Sequence, residues 1–382
     1  MANSVPSAGA VADPAGEPPA LLTPYPRVDL DVMEANLQRM QAYADAHGIA
    51  LRPHVKTHKL PHVALWQIAL GAVGVTCQKL SEAEVMAAAG VGDILVSYNL
   101  LGERRLRRLA ALRQRCHVAV VADSRTVIEG LAWAAALPVS GEGERGEGTG
   151  GPGPLPVLID GDAAHYGRTG VATPDEAVAL AREVASRPGL RFGGLFVYPH
   201  LPATGAWLRE ALRGLAAAGL KADVVSSGGT PGAFVAHETP EVTEYRVGTY
   251  VYYDRMTVAR GAATLADCAL RVAAQVVSVH RPARVVLDAG SKALTSDLLR
   301  TGDVAAGYGW VVEYPEARIH TLSEEHGHVD WSGCARLPAV GETVTIIPNH
   351  VCPVVNLYDR IAFYRGERLV EVVPVAARGC SQ

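Results

Sequence analysis

Eight short apolar runs recur along the chain, with segments of helical period or short connections between them, and this rhythm limits the fold more than any other feature. The runs are ALRPHVK (50–56), VGVTCQ (73–78), DILVSYN (93–99), HVAVVAD (117–123), LPVLID (155–160), FGGLFVY (192–198), ADVVSS (222–227) and TEYRVGTYVYY (243–253). Between them, LPHVALWQIALG, SEAEVMAAAG, ERRLRRLAALRQR, TPDEAVALAREVASR and TGAWLREALRGLAAAG carry helical spacing. Eight strands in this alternation match the count of a closed parallel barrel. An open doubly wound sheet would carry a glycine-rich turn after its first strand, and none follows residue 56.

The 382 residues exceed one ordinary domain. After about residue 265 the pattern changes to alternating strands, as in ALRVAAQVVSVH, ARVVLDAG, ETVTIIPNH and RLVEVVPVAA. The expected class is therefore α/β, a (β/α)8 TIM-type barrel over 23–265 followed by a mainly β domain over 266–382. Residues 1–22, rich in Ala, Pro and Gly, read as a disordered leader, and the low-complexity stretch 140–154 (SGEGERGEGTGGPGP) as a flexible insertion in the barrel.

Charge narrows the partners. With 35 basic and 39 acidic residues, a net charge of -4 and no long basic run, neither nucleic acid nor an anionic membrane is expected. No run of about 18 apolar residues suggests a membrane span, and the opening residues lack the features of a secretion signal. Six scattered cysteines without close pairs argue against a disulfide framework and fit a reducing cytoplasm.

A barrel gathers reactive groups at the carboxyl ends of its strands. In LRPHVKTHK (51–59), Leu51, Pro53 and Val55 alternate with Arg52, His54 and Lys56, a period of two that places Lys56 on the polar face at the end of strand one. A basic cluster is ordinarily a solvated surface, but an inward lysine must be paired, neutral or covalently used. Gln78, Tyr98 and Asp160 end strands two, three and five; Tyr198 and His200 follow strand six. Ser226 to Pro231 (SSGGTP) end strand seven, where glycine pairs let backbone N–H groups close on an anion. A lysine facing a phosphate grip suits a phosphorylated aldehyde held covalently on the amine, and pyridoxal 5'-phosphate meets that description. In PNHVCPVVNL, His350 and Cys352 stand two apart. Read as a strand, they share a face and suit zinc with open coordination positions; a core cysteine beside a surface histidine is the alternative.

Larger stretches carry a resemblance. PYPRVDLDVMEANL (24–37), RPHVKTHK, SEAEV (81–85), VSSGGTP, RVGTYVYYD (246–254), LDAGSKALTSD (287–297), SEEHG (323–327) and PNHVCPVVNLYD (348–359) resemble the D-serine dehydratase and D-threonine aldolase group, pyridoxal phosphate enzymes of the alanine racemase fold. The resemblance implies that Lys56 carries the cofactor and that Ser227, Gly228, Gly229 and Thr230, with Tyr250, surround its phosphate. It also implies that His350 and Cys352 bind a catalytic divalent metal, zinc with manganese or magnesium as alternatives. It implies Arg168 near the pyridine nitrogen, although Arg168 follows Asp160 by eight positions, a spacing unlike the family's D-x-G-x-x-R-x-G. Tyr198 and His200 are the remaining catalytic candidates; the stretch Tyr198-Pro199-His200 lacks the family's glycine before the histidine and is one residue shorter.

The activity so implied is a lyase acting on a D-3-hydroxy amino acid. A dehydratase, giving a 2-keto acid and ammonia, is favoured by the His-x-Cys pattern, and an aldolase giving glycine and an aldehyde is the alternative. An amino-acid racemase of this fold has no use for a metal pair, and a non-catalytic pyridoxal carrier has none for the second domain. The resemblance further implies a head-to-tail homodimer.

Overall fold

The computed structural model describes residues 21–138, 153–280, 283–301 and 304–382. The expected leader lies outside the described residues except for Leu21 and Leu22, and the expected insertion except for Gly153 and Pro154. The described chain divides into two compact units. Gln41–Lys56, Pro61–Gly248 and Cys380–Gln382 form one, and residues up to Met40 with Thr57–Leu60 and Thr249–Gly379 form the other.

The first unit is built on eight parallel strands, Ala50–Leu51, Val75–Cys77, Asp93–Val96, His117–Ala122, Leu155–Gly161, Leu190–Val197, Val224–Gly228 and Glu244–Arg246. Each pairs with its neighbour in chain order from the second to the eighth, and the eighth returns to the first through Ala50 with Glu244 and Leu51 with Tyr245. A parallel bridge between His54 and Thr76, with Val55 N–H donating to the Thr76 carbonyl at 2.9 Å, joins the first to the second and closes the barrel. Strands buried on both faces read as continuous apolar runs, and every residue of Leu155–Gly161 is buried. Leu95, Val121, Leu158 and Phe196, from the third to the sixth strand, pack together in the interior.

Helices or a 3-10 segment follow the first seven strands: Pro61–Leu70, Leu80–Ala88, Glu103–Leu112, Arg125–Ala136, Pro174–Ser186, Thr204–Ala217 and the 3-10 segment Thr230–Glu238. The Thr173 hydroxyl accepts the Glu176 N–H while the Glu176 side chain takes the Thr173 N–H, a capping box that starts Pro174–Ser186 with proline in its first turn. Glu103–Leu112 buries Leu106, Leu109 and Leu112, three residues apart, and leaves its arginines outward. Truncating fully buried Leu109 to alanine would cost about 2–5 kcal/mol.

Most of the strands are shorter than their sequence runs, the first and the eighth by far the most. The first stops at Leu51 and the chain turns after His54, so Lys56 stands on a turn, not on a strand. The eighth stops at Arg246; Gly248 and the 3-10 turn Thr249–Val251 redirect the chain to Asp254, whose carboxylate caps Arg255–Ala259 by accepting the Thr257 N–H at 2.8 Å.

The second unit is mainly β. Its longest strand, Leu270–His280, pairs antiparallel with Tyr25–Asp29, Arg284–Leu287 and Thr343–Pro348, and Tyr25–Asp29 runs parallel to Arg360–Arg365. Short helices Ser291–Leu294 and Val351–Leu357 interrupt the expected run of strands. Among the described residues, no helix is long and apolar enough to cross a membrane.

Candidate active site

In the barrel unit, the turn that carries Lys56 is pinned by His54. The buried imidazole accepts the Lys56 backbone N–H at Nδ1 (3.4 Å), and its Nε2 lies 3.2 Å from Gln78 Oε1 and 3.3 Å from Ser97 Oγ. Burial first, then the positive charges of Lys56 and Arg246, hold His54 well below the ordinary histidine range, so the ring is neutral with its proton on Nε2.

The Lys56 amine lies 6.0 Å from the centre of the Tyr198 ring. Arg168, exposed, places its guanidinium carbon 4.8 Å from the same ring, and Tyr166 meets it edge-on at 6.1 Å. The glycine turn reaches Tyr198 as well: a Cβ on Gly229 would sit 3.6 Å from Tyr198 Cε2. Lysine, arginine and glycine turn thus converge on one tyrosine.

The turn itself is made for close approach. Gly229 has φ +119°, a left-handed conformation that side chains resist, and a Cβ on Gly228 would come within 2.6 Å of the Arg246 carbonyl. Tyr245 Oη donates to the Gly229 carbonyl at 2.7 Å, and Thr230 opens the 3-10 segment, whose first backbone N–H groups have no partner within the segment. Ser227 Oγ and His200 Nδ1 are 2.9 Å apart, while the His200 N–H donates to the Gly228 carbonyl at 2.8 Å. Burial lowers the His200 pKa, against an opposing pull from Glu238.

Sequence reasoning missed Arg246. Its guanidinium is buried, lies 3.5 Å from the Phe196 ring centre, and donates to Ser226 Oγ at 2.5 Å and the Val197 carbonyl at 2.8 Å. Ser226 Oγ donates to Glu244 at 2.6 Å, and Arg52 binds the other Glu244 oxygen at 2.6 Å, so an ionic chain crosses the barrel. Burial pulls Arg246 down to about 10, against Glu244 and Asp160. Asp160 accepts Thr169 Oγ1 at 2.7 Å and is pushed up to about 6 by burial, against that bond and the charge of Arg246. A lone arginine in the run TEYRVG was the available signal.

A turn with Gly228 crowded against the Arg246 carbonyl and Gly229 at φ +119°, the start of a 3-10 segment beside it and an amine across one tyrosine fit the phosphate and aldehyde ends of pyridoxal phosphate.

Tyr250, His350 and Cys352 belong to the other unit, where Tyr250 is buried in the turn Thr249–Val251. The strand Thr343–Pro348 ends before His350. The pair is therefore not on a strand: His350, extended, precedes the helix Val351–Leu357, and Cys352 lies in its first turn. Asn349 turns the chain by donating to the Asp297 and Gly307 carbonyls at 2.8 and 2.7 Å, and Asp254 accepts the Val351 N–H at 3.1 Å. Even so, the two side chains lie close enough for the thiol to act on the imidazole. Burial acts to lower the His350 pKa, but Cys352, Asp254 and Asp297 outweigh it and push it up to about 9. His350 Nδ1 lies 2.9 Å from Asp297 Oδ2, which leaves Nε2 as the nitrogen for a cation. Among the described residues, no group of three or more His, Cys, Asp or Glu is placed to hold a metal ion.

The barrel, over residues 28–256, matches the family model "Alanine racemase, N-terminal domain", and residues 269–364 match "Putative serine dehydratase domain". Along nearly its whole length the chain is 32% identical to D-threonine aldolase of Arthrobacter sp, with 96% of each covered. The chain belongs to the D-threonine aldolase family. Membership makes it a pyridoxal phosphate-dependent lyase. Within the family, the crystal structure of D-threonine aldolase from Filomicrobium marinum superposes with a TM-score of 0.82 at 33% identity, covering 95% of this chain and 97% of that one. D-threo-3-hydroxyaspartate dehydratase of Delftia sp. (strain HT23) is 34% identical over 86% of this chain and 90% of its own. Solved forms of that dehydratase include variants in which a histidine, and a cysteine two positions further on, are replaced by alanine, the cysteine variant being a metal-free form.

Proposed function

We propose that this protein removes water from a D-3-hydroxy amino acid, releasing a 2-keto acid and ammonia. The observation that carries this reading is the histidine and cysteine pair at spacing two, His350 and Cys352, with the Asp297 carboxylate 2.9 Å from His350 Nδ1. The Delftia dehydratase, in which a histidine and a cysteine at that spacing were replaced, supports it.

Each residue has a task. Gly228, Gly229 and Thr230 would surround the cofactor phosphate, with the Gly229 N–H itself tied to the Arg246 carbonyl at 3.0 Å, and Ser227 braces His200 beside them. Lys56 would hold the cofactor's aldehyde carbon, and its amine, when free, takes the proton from the substrate's Cα. His54 keeps the Lys56 turn in place, and Tyr198 forms the wall between that amine and Arg168. Pyridoxal phosphate, when bound, supplies the sink for the electron pair left at Cα. A cation on His350 and Cys352, which we take to be zinc with manganese or magnesium as alternatives, supplies a Lewis acid for a hydroxyl oxygen. Loss of the β-hydroxyl gives an enamine that water converts to keto acid and ammonia.

A second reading is retro-aldol cleavage, favoured by the match to the Filomicrobium aldolase. There His200, neutral because burial lowers its pKa, takes the β-hydroxyl proton. Incubation with D-serine, D-threonine, D-threo-3-hydroxyaspartate and their L forms separates the two. Ammonia and keto acid are the expected products, from the D forms only; glycine and an aldehyde would establish the aldolase.

A reducing cytoplasm, which the six scattered cysteines without close pairs in sequence suggest, is part of the same proposal. A homodimer is part of the same proposal and is tested by sedimentation.

A further inference from the structure

The carboxylate of Asp297 stands 2.9 Å from His350 Nδ1, and everything around it serves to keep it there. The Asp297 carbonyl accepts the Asn349 side chain, so the residue before His350 grips the backbone of the residue that holds its ring. Asn349 is fully buried, and its Oδ1 accepts an Arg255 N–H at 3.0 Å. Two residues before Asp297, Thr295 has φ +66°, a conformation a β-branched residue adopts only when its surroundings impose it, and its hydroxyl accepts the Asp297 N–H at 3.3 Å. Strain of this kind collects where geometry is needed for function.

We propose that Asp297 is a positioning residue of the metal site. By taking the proton on Nδ1, its carboxylate selects the ring form whose Nε2 lone pair faces a divalent cation, and it fixes the ring's rotation. Its side chain is 40% exposed, so the contact adds little to stability as an ion pair, and its use lies in orienting the ring. The inference rests on the reading of His350 and Cys352 as metal ligands.

The test is a titration of the cofactor-loaded protein, stripped of metal, with Zn2+ against a chromophoric chelator and with Co2+ by its visible spectrum. Asp297→Asn keeps the shape but can offer an N–H to Nδ1, which puts the ring proton on Nε2. It is expected to weaken Zn2+ binding by about 10- to 100-fold, with Asp297→Ala in the same range, while the melting temperature of the metal-free protein is unchanged. Asp297→Glu, which restores the carboxylate, is expected to recover part of the loss. Unchanged affinity in Asp297→Asn would overturn the assignment, and so would a collapse of the metal-free melting transition, which would make the contact structural. Absence of Zn2+ and Co2+ binding to the unaltered protein would instead overturn the metal reading beneath it.

Discussion

The hydroxyl of Thr57 lies 3.2 Å from the sulfur of Cys352. Thr57 is fully buried and follows Lys56 in the chain, at the point where the chain passes from the barrel unit to the other. The hydroxyl can donate to the thiolate and stabilise the form that binds a cation. Valine fills the same volume without that donor. Thr57→Val should weaken Zn2+ binding about 10- to 150-fold, since a hydrogen bond to a charged group is worth about 1.5–3 kcal/mol. Pyridoxal phosphate should still bind; a chelator-competition titration that gives equal affinities would remove Thr57 from the site.

Gly229 is limited by its backbone and not by space, because a Cβ there would make only an ordinary contact with Tyr198. Gly229→Ala must leave φ +119° or bear a strain of about 1–3 kcal/mol, and either shifts the N–H groups of the turn. Cofactor affinity, followed by fluorescence titration of the cofactor-free protein, is expected to fall at least tenfold while the far-ultraviolet circular dichroism is kept. Unaltered affinity would mean the phosphate is gripped elsewhere.

Asp160 makes stability depend on pH. Its folded value, pushed up to about 6, exceeds its ordinary 3.8, so the fold favours the protonated acid. That contribution is complete below about pH 4 and is lost as pH rises through about 6. Asp160→Asn stays neutral throughout. Relative to this variant, the unaltered protein should lose on the order of 3 kcal/mol between pH 4 and pH 7, measured by urea unfolding. A difference that stays constant across this window would contradict the burial assigned to the carboxyl.

The barrel was legible because a strand covered on both faces must be apolar throughout, and seven helical or 3-10 segments follow the runs that were read as strands. Tyr198 and the Gly228–Gly229 turn were legible from their places after the sixth and seventh strands, whereas Lys56, read as a strand end, stands on the turn that follows the first strand. Arg246 was not: in TEYRVG an inward arginine and an outward one look alike, and its partners Ser226 and Asp160 are distant in sequence. Thr57 escaped for the same reason, since Cys352 is 295 positions away. The pair at His350 was singled out by its spacing and given a metal role by the resemblance, yet spacing two on a strand and spacing two across a helix start are identical in sequence; Asn349 and its two carbonyl partners decide between them.

Everything in the proposed chemistry begins with the amine that carries the cofactor, and two lysines stand close together in RPHVKTHK. Lys59 is buried and donates to the Ala377 carbonyl at 3.2 Å, whereas the Lys56 amine lies 6.0 Å from the centre of the Tyr198 ring. Borohydride reduction of the yellow, cofactor-loaded protein, followed by peptide mapping by mass spectrometry, fixes the cofactor to its lysine. The pyridoxyl mass is expected on Lys56 alone, with Lys56→Ala colourless and unlabelled; a label on Lys59, or a yellow Lys56→Ala protein, would contradict the account.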